Sequence, residues 1–165
     1  MQADPEMQQE TTSGQFLTFY LGKEAYGVDI LKVQEIRGWE ELRPLPDTPD
    51  YVKGVLDLRG TIVPIIDLRI RMNMTDVQYH PTTVIIVLSV HKDDGEEQLV
   101  GAVVDAVSDV LDVSEKEIRK APDIGTKVND RYMRGMVSRD QRMVVLLDVD
   151  QLFKANELGL LDNLS

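Results

Sequence analysis

One pattern recurs at a fixed distance along this chain, and it limits what the chain can fold into. Tyr51-Val52-Lys53-Gly54-Val55-Leu56, followed by Val63-Pro64-Ile65-Ile66-Asp67, is matched without a gap by Tyr132-Met133-Arg134-Gly135-Met136-Val137 and Val144-Val145-Leu146-Leu147-Asp148. The spacing is 81 positions throughout. A second block, Tyr26-Gly27-Val28 with Val33, Glu35 and Ile36, lies over Val100-Gly101-Ala102 with Val107, Asp109 and Val110 at a spacing of 74. A third, Glu41-Leu42-Arg43 followed by Pro46-Asp47, lies over Glu117-Ile118-Arg119 followed by Pro122-Asp123 at a spacing of 76. The blocks keep their order, and the spacing changes only between them, where Pro, Gly and charged residues collect, as it does when insertions fall in loops. Recurrence of this kind marks a duplicated structural unit.

Each copy of the first block reads as a hairpin, two apolar runs around a polar break that in the first copy is Asp57-Leu58-Arg59-Gly60-Thr61, with a glycine suited to a tight turn. Phe16 to Tyr20 and Tyr26 to Ile30 form another hairpin around Gly22-Lys23-Glu24. Between Ile30 and Ile36 the apolar spacing fits either a short helical turn or an irregular strand. Pro44, Pro46 and Pro49 keep the next stretch extended. Thr82 to Leu88 is a continuous apolar strand of the kind buried on both faces, followed by an Asp94-Gly95 tip and a long strand from Leu99 to Val107. Ser114-Glu115-Lys116-Glu117 is a capping box for one helical turn. Asp150 to Leu158 is a short closing helix with Leu152 and Phe153 on one side. Roughly ten short strands with little helix predict an all-β fold of small antiparallel barrels, related by the internal duplication. A half of roughly 60 residues is marginal alone, so the halves are expected to pack on each other. The expected plan is a disordered tail over 1–14, then one domain over 15–165. Its first lobe spans about 15–72 and its second about 80–155.

The composition excludes several function classes. A net charge of −11 opposes phosphate backbones, which sets nucleic acid aside. The absence of cysteine removes disulfides, thiolate metal sites and a cysteine nucleophile. No apolar run is long enough to cross a bilayer, and Met1 to Gly14 has no secretory pattern, so a cytoplasmic protein is expected. His80 and His91 fall in predicted loops without catalytic neighbours, and no phosphate-binding or nucleophile motif is present. Asp67, Asp148 and Asp150 could hold a cation, but strand-end aspartates more ordinarily cap turns, and no metal or cofactor is expected. A carboxylate-using hydrolase would rest on Asp29, Asp67, Asp105 and Asp148, which lack a paired acid and base at evident spacing. A ligand-binding barrel is a third reading.

With a duplicated β module and no catalytic set, the chain resembles the CheW family of chemotaxis coupling proteins. The resemblance runs from Phe16 to about Leu161, through Tyr26-Gly27-Val28-Asp29-Ile30, Val33-Gln34-Glu35-Ile36-Arg37-Gly38, Leu58-Arg59-Gly60, Val63-Pro64-Ile65, Asp67-Leu68-Arg69 and Val107-Ser108-Asp109-Val110-Leu111. It implies two five-stranded SH3-like barrels packed together, acting as a non-enzymatic adaptor between the cytoplasmic tip of methyl-accepting chemoreceptors and the regulatory domain of the histidine kinase CheA. A paralogous coupling protein of another pathway, such as surface motility, is a close variant. Any membrane association would come through the receptors, and no receiver domain is expected to follow residue 165. By the same resemblance, receptor-binding features fall on Val33, Glu35, Gly54, Arg59, Gly101, Val107 and Val110. Kinase-facing features fall on Arg119 and Ile124, and the duplication puts Leu42, Arg43 and Pro46 at the equivalent end of the other lobe, as candidates for the same kind of contact. The loop from Ser89 to Gln98 is longer than is usual for that family. Physically, a helical receptor tip needs an apolar groove with a polar rim. Val33 and Val107, as repeat counterparts, are expected to line it, and Glu35 with Arg59 to pair on its rim.

Overall fold

A computed structural model describes residues 14–120 and 132–153. The expected N-terminal tail, Ile124 and the segment past 153 lie outside them. Ten strands follow in order: β1 Gly14–Leu21, β2 Glu24–Asp29, β3 Val33–Gly38, β4 Val52–Leu58, β5 Thr61–Asp67, β6 Val84–His91, β7 Glu97–Val104, β8 Ala106–Val113, β9 Met133–Arg139 and β10 Arg142–Leu147. Two four-residue helices, α1 Leu68–Arg71 and α2 Val149–Leu152, follow β5 and β10. A 3-10 turn, Ile30–Lys32, joins β2 to β3, so both readings of that stretch hold in part. No helix among the described residues is long and apolar enough to cross a membrane.

The strands form two five-stranded sheets, ordered β8-β1-β2-β10-β9 and β3-β6-β7-β5-β4. Replacing every strand of the first by its repeat counterpart gives the order of the second, so the duplication read from the sequence is a duplication of topology. The expected division of the lobes at about 72–80 is corrected. The β1–β2 hairpin belongs to the sheet of β8, β9 and β10, and β6–β7 completes the sheet of β3, β4 and β5. The cause lies in the links. Only Asp105 separates β7 from β8, and only the 3-10 turn separates β2 from β3. A one-residue link is shorter than the usual hairpin loop, so the chain runs on into the other sheet. The exchange is closed by two parallel pairings, β10 with β2 and β5 with β7, in which Leu146 faces Gly27 and Ile65 faces Gly101.

Three apolar clusters result, and strand alternation sorts residues among them. Ile65, Val87 and Val103 fill one barrel, while Leu146, Val144 and Phe16 fill the other. Their chain neighbours Ile66, Leu88, Val104, Leu147 and Leu17 point the other way, into a core shared between the sheets. Strands apolar on both faces are needed because each has a barrel on one side and the shared core on the other.

Candidate functional site

Strands β3 and β8 are repeat counterparts, and each lies at the edge of its sheet. In β3, Val33 faces Leu88 and Ile36 faces Ile86, both shared-core residues, with a bulge between Val33 and Glu35. Directly paired residues project from the same side of a sheet. Val33 and Ile36 therefore form a short stripe that carries the shared core outward; Val33 is half-buried against it and Ile36 is 43% exposed. In β8, Val107 faces Phe19 and Val110 faces Leu17, again shared-core residues, with a bulge at the corresponding place. Val107 is half-buried and Val110 is 46% exposed. The two stripes thus repeat each other in residue type, register and exposure. Ile36 was not among the site residues expected from sequence, although its alignment with Val110 in the repeat carried the signal.

Glu35 and Arg37 project from the opposite side of β3, opposite Val87 and Ile85 of the barrel interior. The Arg59 guanidinium, at the β4–β5 turn, donates to Glu35 at 2.9 Å, and Arg37 donates to Glu35 at 3.1 Å and to Glu40 at 3.3 Å. The expected Glu35–Arg59 pair therefore forms. Because the Arg59 side chain is 85% exposed, the pair contributes only about 0–1 kcal/mol to stability. Arg37 is held protonated more firmly than usual, first by its hydrogen bonds to Glu35 and Glu40.

The two glycines of the expected receptor set lie inside the fold. A Cβ on Gly101 would sit 2.4 Å from Ile65 Cδ1 and 2.9 Å from Ile85 Cγ2, so glycine is what lets β7 and β5 run side by side. A Cβ on Gly54, at φ +144°, would sit 2.3 Å from the Arg43 carbonyl oxygen. That approach belongs to a bridge between Arg43 and Val55 whose counterpart joins Arg119 to Met136. Leu42 packs on one barrel interior and Ile118 on the other, leaving Arg43 and Arg119 exposed at corresponding edges with Pro46 beside the first.

Three of the four aspartates weighed as catalytic groups act as turn caps, and the fourth, Asp105, accepts from Arg69 and from the Gly22 N–H. Asp29 accepts the Leu31 N–H, Asp67 the Arg69 N–H, and Asp148 the N–H groups of Asp150 and Gln151. Among the described residues no group of three or more His, Asp or Glu side chains is arranged to hold a metal ion. His80 is held in its loop by the backbone, its N–H donating to Thr83 Oγ1 at 2.8 Å.

Comparison with known proteins falls in line with this geometry. The family model for the CheW-like domain matches residues 15–157. The chain is 44% identical over 156 residues to the chemotaxis protein CheW of Klebsiella aerogenes, covering 94% of this chain and 91% of that protein. It is 37% identical over 143 residues to the chemotaxis protein CheW of Rhizobium meliloti, covering 87% and 89%. The crystal structure of the scaffolding protein TtCheW from Thermoanaerobacter tengcongensis superposes with a TM-score of 0.77 at 29% identity, covering 88% of this chain and 91% of that one.

Proposed function

The chain belongs to the CheW-like family, and from that premise we propose that it is a non-enzymatic adaptor that couples chemoreceptors to a CheA-type histidine kinase in a chemotaxis signalling array. The observation that carries the reading is the pair of matching apolar stripes, Val33 with Ile36 and Val107 with Val110, continuous with the shared core at the edges of both sheets. An apolar strip rimmed by charge is the surface a receptor's helical tip would occupy. Glu35 and Arg59 supply charge on the other face of the same edge strand. In this reading Gly54 and Gly101 serve the site from inside, by setting strand spacing, and touch no partner.

The bridged edges at Leu42, Arg43 and Pro46 and at Arg119, with Ile124 beyond the described residues, supply the kinase contacts. Two similar edges on one molecule suit a partner built on the same plan, and contacts of that head-to-tail kind close into rings where the rotation permits. The protein acts in the cytoplasm, reaching the membrane only through receptors.

Co-sedimentation with receptor-containing membranes, with and without the kinase, tests the assignment. Ile36→Asp and Val110→Asp are expected to abolish receptor capture. Each side chain is a little over half buried on its strand, so these variants should lose about 1–2 kcal/mol of stability and stay folded. Full capture by both variants would refute the stripes as the receptor surface. Retention of receptor binding together with loss of kinase recruitment in Arg119→Asp would locate the second contact; unchanged recruitment would remove it from that edge.

A further inference from the structure

Two ionic clasps hold the exchanged hairpins, and they have opposite polarity. At the first, Asp105 accepts Arg69 Nη1 at 2.7 Å and the Gly22 backbone N–H at 2.7 Å, while its own N–H donates to the Tyr20 carbonyl at 3.0 Å. At the second, Asp150 accepts Lys32 Nζ at 2.9 Å and the His91 backbone N–H at 2.7 Å. The correspondence is close. Arg69 and Asp150 are repeat counterparts, each the second residue of its capped helix. Gly22 and His91 are counterparts too, each lying four residues after the one that faces the repeated glycine, Thr18 opposite Gly27 and Val87 opposite Gly101.

In both places a carboxylate therefore sits on the backbone N–H at the end of a hairpin's first strand and meets a cation. What differs is the source. The strand crossover provides the acid at the first clasp and the base at the second; the helix provides the other partner. Arg69 is further fixed by Asp67, with Nε to Oδ1 at 2.9 Å and Nη2 to Oδ2 at 2.9 Å, and by the Tyr79 ring 4.9 Å away. Lys32 Nζ also lies 3.0 Å from His91 Nδ1.

We propose that the clasps are positioning devices for the partner-binding stripes: Lys32–Asp150 sets the course of β3, and Asp105–Arg69 sets the course of β8. This rests on the adaptor reading for its functional consequence. Lys32 immediately precedes Val33, and Asp105 stands two residues before Val107. Both β3 and β8 are edge strands, each paired to a single neighbour strand. At about 3.3 Å per residue, Ile36 lies roughly 13 Å along the strand from Lys32, so a 10° swing (on the order of 0.2 rad) carries it about 2 Å. A displacement of that size spoils packing against a helix, because a gap of about 0.5–1 Å already forfeits roughly a quarter to a half of the dispersion attraction.

The experiment uses the full chain with labelled methyl groups. Lys32→Asp places two carboxylates together; it is expected to shift the Ile36 methyl resonances, leave those of Val107 and Val110 in place, and weaken receptor co-sedimentation by about tenfold. The double variant Lys32→Asp with Asp150→Lys has the polarity that Asp105–Arg69 already uses, so it should restore both the Ile36 methyl positions and capture. Unmoved Ile36 methyls in the single variant, undiminished capture, or a double variant that regains thermal stability but not capture would each overturn the proposal. If the parent chain itself fails to co-sediment, the adaptor reading falls instead, and the methyl shifts alone decide whether the clasp directs β3.

Discussion

Gly101→Ala separates a contact role from a scaffolding role for a residue that the family resemblance places in the receptor set. The added methyl would lie 2.4 Å from Ile65 Cδ1 and 2.9 Å from Ile85 Cγ2, and all three residues are buried. Overfilling a packed interior costs about 1–3 kcal/mol, which for a chain of this size lowers Tm by about 2–4 °C per kcal/mol. A loss of about 2–12 °C is expected from these two figures. Ile65→Val removes the atom that clashes most. Alone it costs about 0.5–1.5 kcal/mol; joined to Gly101→Ala it should recover part of the loss, with a coupling of about 1–2 kcal/mol. Recovery stays partial because Ile85 Cγ2 remains. Thermal unfolding followed by circular dichroism measures all four proteins, and receptor co-sedimentation is run below each Tm. Binding should track the fold, falling in Gly101→Ala and returning in the double variant. An unchanged Tm together with lost binding would refute the packing argument and make Gly101 a direct contact.

Other expectations rest on the same geometry. Glu35→Ala and Arg59→Ala should each move stability by no more than about 1 kcal/mol, since Arg59 stands 85% exposed at its end of the pair, yet weaken receptor pull-down; equal losses of fold and binding would make the pair structural. Tyr79 donates to Asp67 at 3.0 Å, and burial, reinforced by that carboxylate, pushes its pKa from 10.0 up to about 12. The folded state thus keeps a proton that the unfolded chain gives up first, so stability is full below pH 10.0 and declines as pH rises towards about 12. Tyr79→Phe should flatten part of that decline in urea midpoints measured across the window. Tyr26, raised in the same direction by burial and by Glu24, should account for much of the remainder.

The repeat, the hairpins and the capped helical turns were legible because each is a local pattern: Asp67 and Asp148 end their strands and cap the short helices α1 and α2, as strand-end aspartates do. The exchange of hairpins was not. A β1–β2 hairpin bears the same residues whether it pairs with β3–β5 or with β8–β10, because the two halves offer the same pattern to it. The deciding feature is the length of the crossover at Asp105, and a one-residue break inside a continuous apolar run does not show in periodicity. Among the expected receptor residues, Val33, Glu35, Arg59, Val107 and Val110 lie in or beside the stripes. Gly54 and Gly101 had a pattern-level signal of equal strength but proved to be buried, since a glycine required by a neighbouring strand and one required by a partner look alike in sequence. Ile36 was masked by the opposite difficulty, an apolar residue on a strand being ordinarily core.

The two barrels share a backbone plan but not a chemistry, and this bears on how one adaptor seats unlike neighbours. At the β4–β5 turn Arg59 and Gly60 have φ of 52° and 91°; at the β9–β10 turn their counterparts Asp140 and Gln141 have φ of 52° and 64°. The turns superpose in kind, yet Arg59 reaches Glu35, whereas Asp140 has Asp109 as the corresponding residue, and two carboxylates cannot form that bond. A cavity of about 220 Å³ opens there instead, lined by Thr18, Asp109, Leu111, Arg139 and Asp140 among others. Arg142 donates to the Tyr20 hydroxyl within the same lining, and Arg139 donates to Glu117. Repetition of the backbone gives each end the same shape, while the changes at 35/109 and 59/140 give each a different charge pattern. Specificity needs the wrong partner to be penalised as well as the right one favoured. A charge arrangement that suits the Glu35–Arg59 end is mismatched at the Asp109–Asp140 end, so a group fitted to one of these ends is penalised at the other although the backbone plan is repeated.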